Sequence, residues 1–165
     1  MRYTALAFFL VTAGGFGRAA DLPVTSVESL AGQKIMFPAG LVGKPAVCVF
    51  GFSQDAGDKT KEWMKRLYQD EVNAWSVANL ERAPSLVRGM IKSGMRKGTP
   101  QPLQEHSLIM IKDEQTWKRA LGAKDEKLPV VVVLDATGKV VWTYEGAFGD
   151  ESYRELRGRL GVASK

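Results

Sequence analysis

Two runs of apolar residues without polar alternation constrain the fold of this chain most strongly. The first run is 46–52 (AVCVFGF) and the second is 129–134 (PVVVVL). A strand with one solvent-facing side alternates apolar and polar residues, so a strand without alternation needs cover on both faces. We therefore predict that both runs are interior strands of a sheet, with helices packed on each face and Cys48 buried.

Shorter apolar segments predict further strands. These segments are 33–37, 75–80, 107–111 and 140–144. The last of them follows the run 129–134 through the turn-prone residues Asp135 to Gly138, so the two are expected to form an antiparallel hairpin. Residues 21–29 are interpreted as an extended lead-in to the first strand.

Helical spacing separates these strands. Residues 59–71 place apolar side chains on one face and charged side chains on the other. Pro84 is suited to the first turn of a second helix, while Asp113 and Asp150 are expected to cap two later ones. The second helix is expected to bury its apolar residues, which are Leu86, Val87, Met90, Ile91 and Met95.

This order of elements is typical of α/β architecture. We predict one domain built on a mixed, mostly parallel sheet with one antiparallel strand and with helices on both faces. The chain has 165 residues, 45% of them hydrophobic, which suffices for one sizeable core. It contains no internal repeat that would indicate a second unit.

The N-terminal residues follow a different pattern. Arg2 precedes an apolar run at 4–13, and small residues flank Arg18 where a signal peptidase would cleave. The run is broken by glycines before it reaches the roughly 20 residues that a membrane span needs. We expect residues 1–19 to be a cleaved signal peptide and residues 20–165 to be the domain, exported to the periplasm or secreted. An uncleaved anchor and a buried first helix are the alternatives.

The charge balance argues against a nucleic-acid partner. Without residues 1–19 the chain has 21 basic and 18 acidic side chains, a net charge of +3, which is too balanced for such a role. Basic residues recur among apolar positions on the first two predicted helices. Solvated helix faces explain this arrangement, and a surface for a partner or an anionic membrane is the alternative.

Several segments together resemble the thioredoxin-like superfamily, in particular its peroxiredoxin and cytochrome-maturation branch. They are residues 44–53 (KPAVCVFGFS), 108–113 (LIMIKD), 117–122 (WKRALG) and 128–142 (LPVVVVLDATGKVVW). The resemblance covers about 115 residues in order and implies the thioredoxin-like fold. It also implies that Leu128-Pro129 is a cis peptide facing the loop between the central strand and the following helix, and a trans proline that simply opens the strand is the alternative.

The chemistry of that superfamily is missing from the chain. Its redox pair, Cys-x-x-Cys, precedes a helix whose N-terminus lowers the pKa of the first thiol. The nearest equivalents here are Asp55 and Asp58, neither of which can exchange a disulfide, and the peroxiredoxin Thr-x-x-Cys is absent too. The only cysteine, Cys48, is interpreted as a buried structural thiol, with a redox role through an external thiol as the alternative.

The sequence contains no set of histidine, cysteine or methionine residues at the spacing of metal or haem ligands. His106 is the only histidine and is interpreted as a loop residue. The copper-delivering members of the superfamily use a cysteine pair with a histidine, which this chain lacks. We therefore expect no cofactor, and a small-molecule or metal-binding module is kept as an alternative function.

Without the thiols, the resemblance still implies the surface on which superfamily members recognise their partners. We therefore predict a partner-binding site there. We expect the helix N-terminus and the strand opened by the proline to meet, so that an extended protein segment can pair with the main chain of Leu128. The residues assigned to this site are Ser53, Gln54, Asp55, Asp58, Leu128 and Pro129. Asp58 is expected to be the helix N-cap, and the two aspartates favour a neutral or basic partner segment.

A second resemblance points to assembly work. The similarity is to the mitochondrial ATP synthase assembly factor family, and it rests on residues 30–38 (LAGQKIMFP), the Gly-Lys-Pro before the first buried run, Trp63 and residues 140–147 (VVWTYEGA). The chain is therefore interpreted as an exported, redox-inactive binding, assembly or chaperone-type factor. It is more consistent with a binding protein than with an enzyme, and no stable membrane insertion is expected after signal cleavage.

Mass spectrometry of the protein from its native envelope tests the export prediction. We expect a mature chain that begins near residue 20, because the charged, apolar and small-residue regions of a signal peptide occur there in order. Retention of Met1, or extraction of the protein only with detergent, would contradict the prediction.

Overall fold

The computed structural model of the protein describes residues 21–163, so the predicted signal segment lies outside the described residues. Seven strands and four α-helices alternate along this part of the chain. They are β1 (Thr25–Ser29), β2 (Lys34–Phe37), β3 (Ala46–Gly51), α1 (Gln54–Gln69), β4 (Ala74–Asn79), α2 (Ser85–Gly98), β5 (Ser107–Met110), α3 (Glu114–Leu121), β6 (Val130–Leu134), β7 (Val140–Glu145) and α4 (Asp150–Ala163). Short 3-10 helices cover Ala39–Leu41 and Gln101–Leu103.

The strands form one mixed sheet in the order β2-β1-β5-β4-β3-β6-β7. Strands β3, β4 and β5 pair in parallel, whereas the pairs at either side of them are antiparallel. Five strands therefore run in one direction, and β1 and β6 run in the other. This confirms the predicted mixed α/β sheet, although it has two reversed strands rather than one, because the presumed lead-in at 21–29 contains β1.

The two apolar runs are interior strands, as predicted. Strand β3 lies between β4 and β6, and every residue of β3 and β6 is buried. Alternate residues of these strands contribute to two cores on opposite faces of the sheet. Cys48 is fully buried in one of these cores.

Large aromatic side chains dominate both cores. On one face Phe37, Phe50 and Trp117 contact one another, with ring centroids 5.3–5.8 Å apart. On the other face the indole of Trp63 packs against Phe148 and donates a hydrogen bond to the carbonyl of Gly146 over 3.0 Å. Because such side chains bury the largest apolar areas, they set the spacing of helices from the sheet.

Helix α1 begins five residues earlier than the sequence pattern indicated. Ser53 is the N-cap, and its hydroxyl accepts a hydrogen bond from the backbone N–H of Ala56. Asp58 lies inside the helix, where it pairs with Lys61. The prediction that Asp58 caps the helix was therefore wrong, since Ser53 is the N-cap and its hydroxyl binds the N–H of Ala56 in the first turn.

Helix α2 does not bury its apolar face, which corrects the prediction for residues 85–98. It has no buried residue, and the exposed fractions of Leu86 and Met90 are 91% and 75%. Polar contacts hold it instead. The Arg88 guanidinium donates to the carbonyls of Leu80, Glu81 and Ala83, Lys92 pairs with Glu28, and Arg96 donates to the carbonyl of Leu30.

Within residues 21–163 no helix has both the length and the apolar composition required to cross a bilayer.

Two leucine truncations on neighbouring helices test this description of the core. Leu67 on α1 is fully buried, so Leu67→Ala should lower the free energy of unfolding by about 2–5 kcal/mol. Leu86→Ala, the matched change on α2, should alter it by no more than about 0.5 kcal/mol. Urea denaturation followed by circular dichroism measures both. A comparable loss for Leu86→Ala would show that α2 packs more closely than described.

Candidate functional site

The candidate site lies where the parallel strands β3, β4 and β5 end. Carboxyl ends of parallel strands meet at one edge of a sheet, where loops can bring distant residues together. Here the loop after β3 approaches the loop between α3 and β6. The Lys59 ammonium donates a hydrogen bond to the carbonyl of Lys127 over 2.8 Å, which joins residues 68 positions apart.

Ser53 fastens these two loops to each other. Its hydroxyl accepts from the N–H of Ala56 and donates to the carbonyl of Glu126 over 2.6 Å. The residues joined by the cap are three positions apart, as in Cys-x-x-Cys. Neither of these two residues is a cysteine, and no thiol stands at the N-terminus of α1.

An open depression of about 690 Å³ separates the two loops. Ser53, Gln54 and Asp55 line one side of it, and residues 124–127 line the other. Asp55 makes no ion pair among the described residues, whereas Asp125 accepts a hydrogen bond from the N–H of Lys127. The depression therefore presents two carboxylates without an ion pair within residues 21–163, those of Asp55 and Asp125, and it is also lined by Lys124 and Lys127.

Three of the predicted site residues do not line the depression. Asp58 is one turn further along α1, Leu128 is half-buried and Pro129 is buried. The Leu128 N–H donates to the carbonyl of Asp125, and the carbonyl of Pro129 accepts from the N–H of Gly146. These backbone groups are therefore occupied, so the N–H of Leu128 is not free to pair with a partner segment.

The expected cis peptide is also wrong. Among residues 21–163 the one cis peptide bond joins Phe37 and Pro38, so Leu128-Pro129 is trans. The loops nevertheless meet as predicted, because Ser53 and Lys59 reach the carbonyls of residues 126 and 127 directly. The juxtaposition of the two segments is confirmed, and the main-chain mode of recognition predicted for Leu128 is not.

A cluster of four charged side chains adjoins the depression through Glu126, which lines it. Lys118 pairs with Glu114 and with Glu126, and Arg82 bridges the same two carboxylates. Arg82 also donates to the carbonyl of Phe52 over 3.0 Å, at the end of β3. Four separate segments are thereby joined, since these residues come from the loop after β3, the loop after β4, α3 and the loop before β6.

Sequence reasoning missed this cluster. Glu114 and Lys118 are four residues apart on one helix, which is a recognisable local pair. Arg82 and Glu126 lie 32 and 12 residues from Glu114, and nothing in their local sequence indicates the contact. Glu114 and Lys118 are buried, so the cluster costs desolvation that its hydrogen bonds offset.

The cluster shifts the ionisation of its members. Hydrogen bonds from Lys118 and Arg82 hold the pKa of Glu126 below its usual value. Burial opposes the charged form of Lys118, but its hydrogen bonds to Glu114 and Glu126 raise its pKa above the usual value. At neutral pH both groups are charged, and the loop before β6 is held by ion pairs.

Cys48 and His106, the one thiol and the one imidazole of the chain, do not line the depression. Burial raises the pKa of the Cys48 thiol well above its usual range, so it remains protonated. The His106 ring stacks on Trp75 with centroids 4.1 Å apart, and its Nδ1 lies 3.0 Å from the carbonyl oxygen of Ala74. Within the described residues no three His, Cys, Asp or Glu side chains form a group that could hold a metal ion. A copper site of the cysteine-pair type therefore does not fit this chain.

No protein-family model matches the chain, and no curated protein matches it by sequence. Solved structures do resemble it. A member of the Sco family of cytochrome c oxidase assembly proteins, BsSco, superposes with a TM-score of 0.63 at 11% identity, covering 88% of this chain and 94% of that one.

Two further structures have the same architecture. A protein described as the thiol:disulfide interchange protein DsbE from Chlorobium tepidum has a TM-score of 0.58 at 16% identity, covering 90% of this chain and 99% of that one. An exposed lipoprotein thioredoxin from Streptococcus pneumoniae has a TM-score of 0.55 at 15% identity, with coverages of 85% and 99%. These likenesses show that the chain has the thioredoxin-like fold.

The pH dependence of stability tests the charged cluster. Because its folded-state pKa is lowered, Glu126 stabilises the fold fully above its ordinary pKa of about 4.5, and this contribution disappears as the pH falls through the lower folded value. Glu126→Gln should therefore destabilise the protein at pH 7, and its difference from the wild type should shrink in acid. Urea unfolding across pH 3–7 measures this difference.

Glu105→Gln is the control for this experiment. Glu105 is exposed and has no ion pair within the described chain, so its replacement should leave stability almost unchanged at every pH. A difference between wild type and Glu126→Gln that stays constant down to pH 3 would contradict the assigned role of the carboxylate.

Proposed function

We propose that this thioredoxin-like chain is an exported, redox-inactive protein that binds a segment of a partner protein and serves in assembly or as a chaperone-type factor. The observation that carries the proposal is the site at the N-terminus of α1. It has a loop pair that is open to solvent, yet no cysteine stands at this helix N-terminus.

The state of Cys48 supports the loss of thiol chemistry. Disulfide exchange requires a thiolate that can reach its partner and a second thiol to resolve the mixed disulfide. Cys48 is fully buried and the chain has no other cysteine. Its burial disfavours the thiolate, so neither requirement is met in the folded protein.

The chemistry of the depression favours a neutral or basic partner segment. Asp55 lies in the first turn of α1 and has no ion pair, so a cation brought beside it would gain a new attraction. Glu126 is already paired twice and holds the opposite wall in place. Because recognition through the N–H of Leu128 is unavailable, we assign it to the side chains that line the depression.

The structural neighbours are consistent with this role at the level of fold. One belongs to a family described as cytochrome c oxidase assembly proteins, and another is described as an exposed lipoprotein. Assembly work and a location outside the cytoplasm are thus known for proteins with this fold. Together with the signal-like N-terminus of this chain, they support the proposed export.

Charge reversal at two positions on α1 tests the binding site. Asp55→Lys should abolish capture of basic peptides on an immobilised peptide array, because it replaces the carboxylate of Asp55 with an ammonium group that repels them. Its effect on the free energy of unfolding should be only about 0.3–1 kcal/mol, the usual contribution of a charge at a helix N-terminus.

Asp58→Lys is the matched control, since Asp58 is on the same helix but does not line the depression. It breaks an exposed pair with Lys61 worth about 0.2–1 kcal/mol, and should retain peptide capture. Equal capture by wild type and Asp55→Lys, or equal losses in both variants, would refute this site.

Thiol labelling tests the redox-inactive part of the proposal. In the native protein Cys48 should not react with an aromatic disulfide reagent, whereas in 6 M guanidinium one thiol per chain should react, because burial alone protects it. Insulin reduction should stay at background in the wild type and in Cys48→Ser. Rapid native labelling, or reductase turnover that vanishes in Cys48→Ser, would show that the single thiol works with an external one.

A further inference from the structure

A second cavity lies on the other flank of α1, away from the proposed partner site. It is a groove of about 770 Å³ between α1 and α2, with β4 as its floor, and we call it the α1–α2 groove. This volume lies within the range of about 300–1,000 Å³ typical of small-molecule sites. The groove exists because α2 is held at its ends and edges by polar contacts, rather than by apolar packing onto the sheet.

The walls of the groove are mainly apolar. Met64 on α1, Met95 on α2 and Leu103 beyond it supply flexible apolar side chains. Gly94 also lines the groove, and a Cβ built on it would meet no atom within 4 Å. The glycine therefore leaves space that any larger residue would occupy.

The charged residues that line the groove are all basic. They are Lys61 and Lys65, which lie one turn apart on α1, and no acidic side chain lines the groove. Lys61 is paired with Asp58, whereas Lys65 is exposed and has no ion pair within the described chain. An apolar interior with a free cation at its rim is complementary to a molecule that has an apolar tail and one negative charge.

Tyr68 adds a hydrogen-bond donor at the same rim. It follows Lys65 by three residues on α1 and lines the groove, and its hydroxyl has no hydrogen-bond partner among the described residues. Burial raises the pKa of this hydroxyl to about 12, so it is protonated and able to donate at neutral pH.

We propose that the α1–α2 groove binds a long-chain fatty acid, with the alkyl chain between Met64 and Met95 and the carboxylate at Lys65 and Tyr68. This inference is independent of the partner-binding role, because Asp55 and the loop 124–127 do not line the groove. The sequence left a small-molecule-binding module open as an alternative function. This proposal names the site of such a module and the class of its ligand.

Calorimetric titration of the mature chain with fatty acids below their micelle concentrations tests the proposal. Dodecanoate should bind saturably with one site per chain. From decanoate to dodecanoate the affinity should rise about fourfold for each added methylene, which is the gain expected for burial of a CH₂ group. Dodecanol, which lacks the charge, should bind more weakly.

Two glycine substitutions on α2 separate binding in the groove from binding elsewhere. Gly94→Phe should reduce dodecanoate affinity by at least about tenfold, because the ring occupies space in the groove that the alkyl chain would fill. Gly89→Phe is the matched control, since Gly89 is on the same helix, also faces open space and does not line the groove. Both replacements remove a helical glycine, so neither should impair folding.

A charge variant tests the carboxylate contact. Lys65→Glu should weaken dodecanoate binding by roughly three- to tenfold, because it removes the exposed ion pair between the Lys65 ammonium and the bound carboxylate. Dodecanol binding should be nearly unchanged, because dodecanol has no charge to pair with Lys65. Absence of saturable binding, equal affinities in Gly94→Phe and Gly89→Phe, or cosedimentation with phosphatidylglycerol vesicles without binding of dodecanoate would each overturn the proposal. Asp55→Lys changes the partner-binding site and not the α1–α2 groove. Even if this variant loses peptide capture, its affinity for dodecanoate should be unaltered.

Discussion

The pairing of β3 with β4 on one side and β6 on the other is the constraint on which the rest of the structure depends. An uninterrupted apolar strand is stable in water only when both of its faces are covered. Alternate residues of β3 and β6 therefore contribute to two cores, one beneath Trp117 and the other beneath Trp63. The positions of α1, α3 and α4 follow from these cores, and Cys48 is inaccessible for the same reason.

At the end of β3 the backbone leaves the two apolar cores and contacts polar side chains. The carbonyl of Phe52 accepts from Arg82, and the next residue, Ser53, joins the loop before β6. One hydroxyl and one ion cluster thus hold the loops of the candidate site in place. The scaffold of the site therefore depends on no thiol and no disulfide.

Local patterns in the sequence predicted the sheet well, because a strand that is buried on both faces consists of apolar residues without polar alternation. They predicted the start of α1 poorly, because Ser53, Asp55 and Asp58 all have side chains that can cap a helix. The choice among them depends on a carbonyl 73 residues away, to which Ser53 alone is bonded. The charged cluster was similarly invisible, since Arg82 and Glu126 have no sequence neighbour that indicates their contact. The periodicity of α2 identified an apolar face, but periodicity contains no information on whether another element covers it.

The polar attachment of α2 has a consequence for the motions of the domain. Hydrogen bonds from Arg88 and Arg96 to backbone carbonyls can be exchanged for hydrogen bonds to water, whereas the cores beneath Trp63 and Trp117 cannot open without exposing large apolar areas. We therefore expect α2 to open at a lower free energy than the one needed for global unfolding. Its amide hydrogens should then exchange with solvent while those of β3 stay protected, and each such opening would widen the space between α1 and α2.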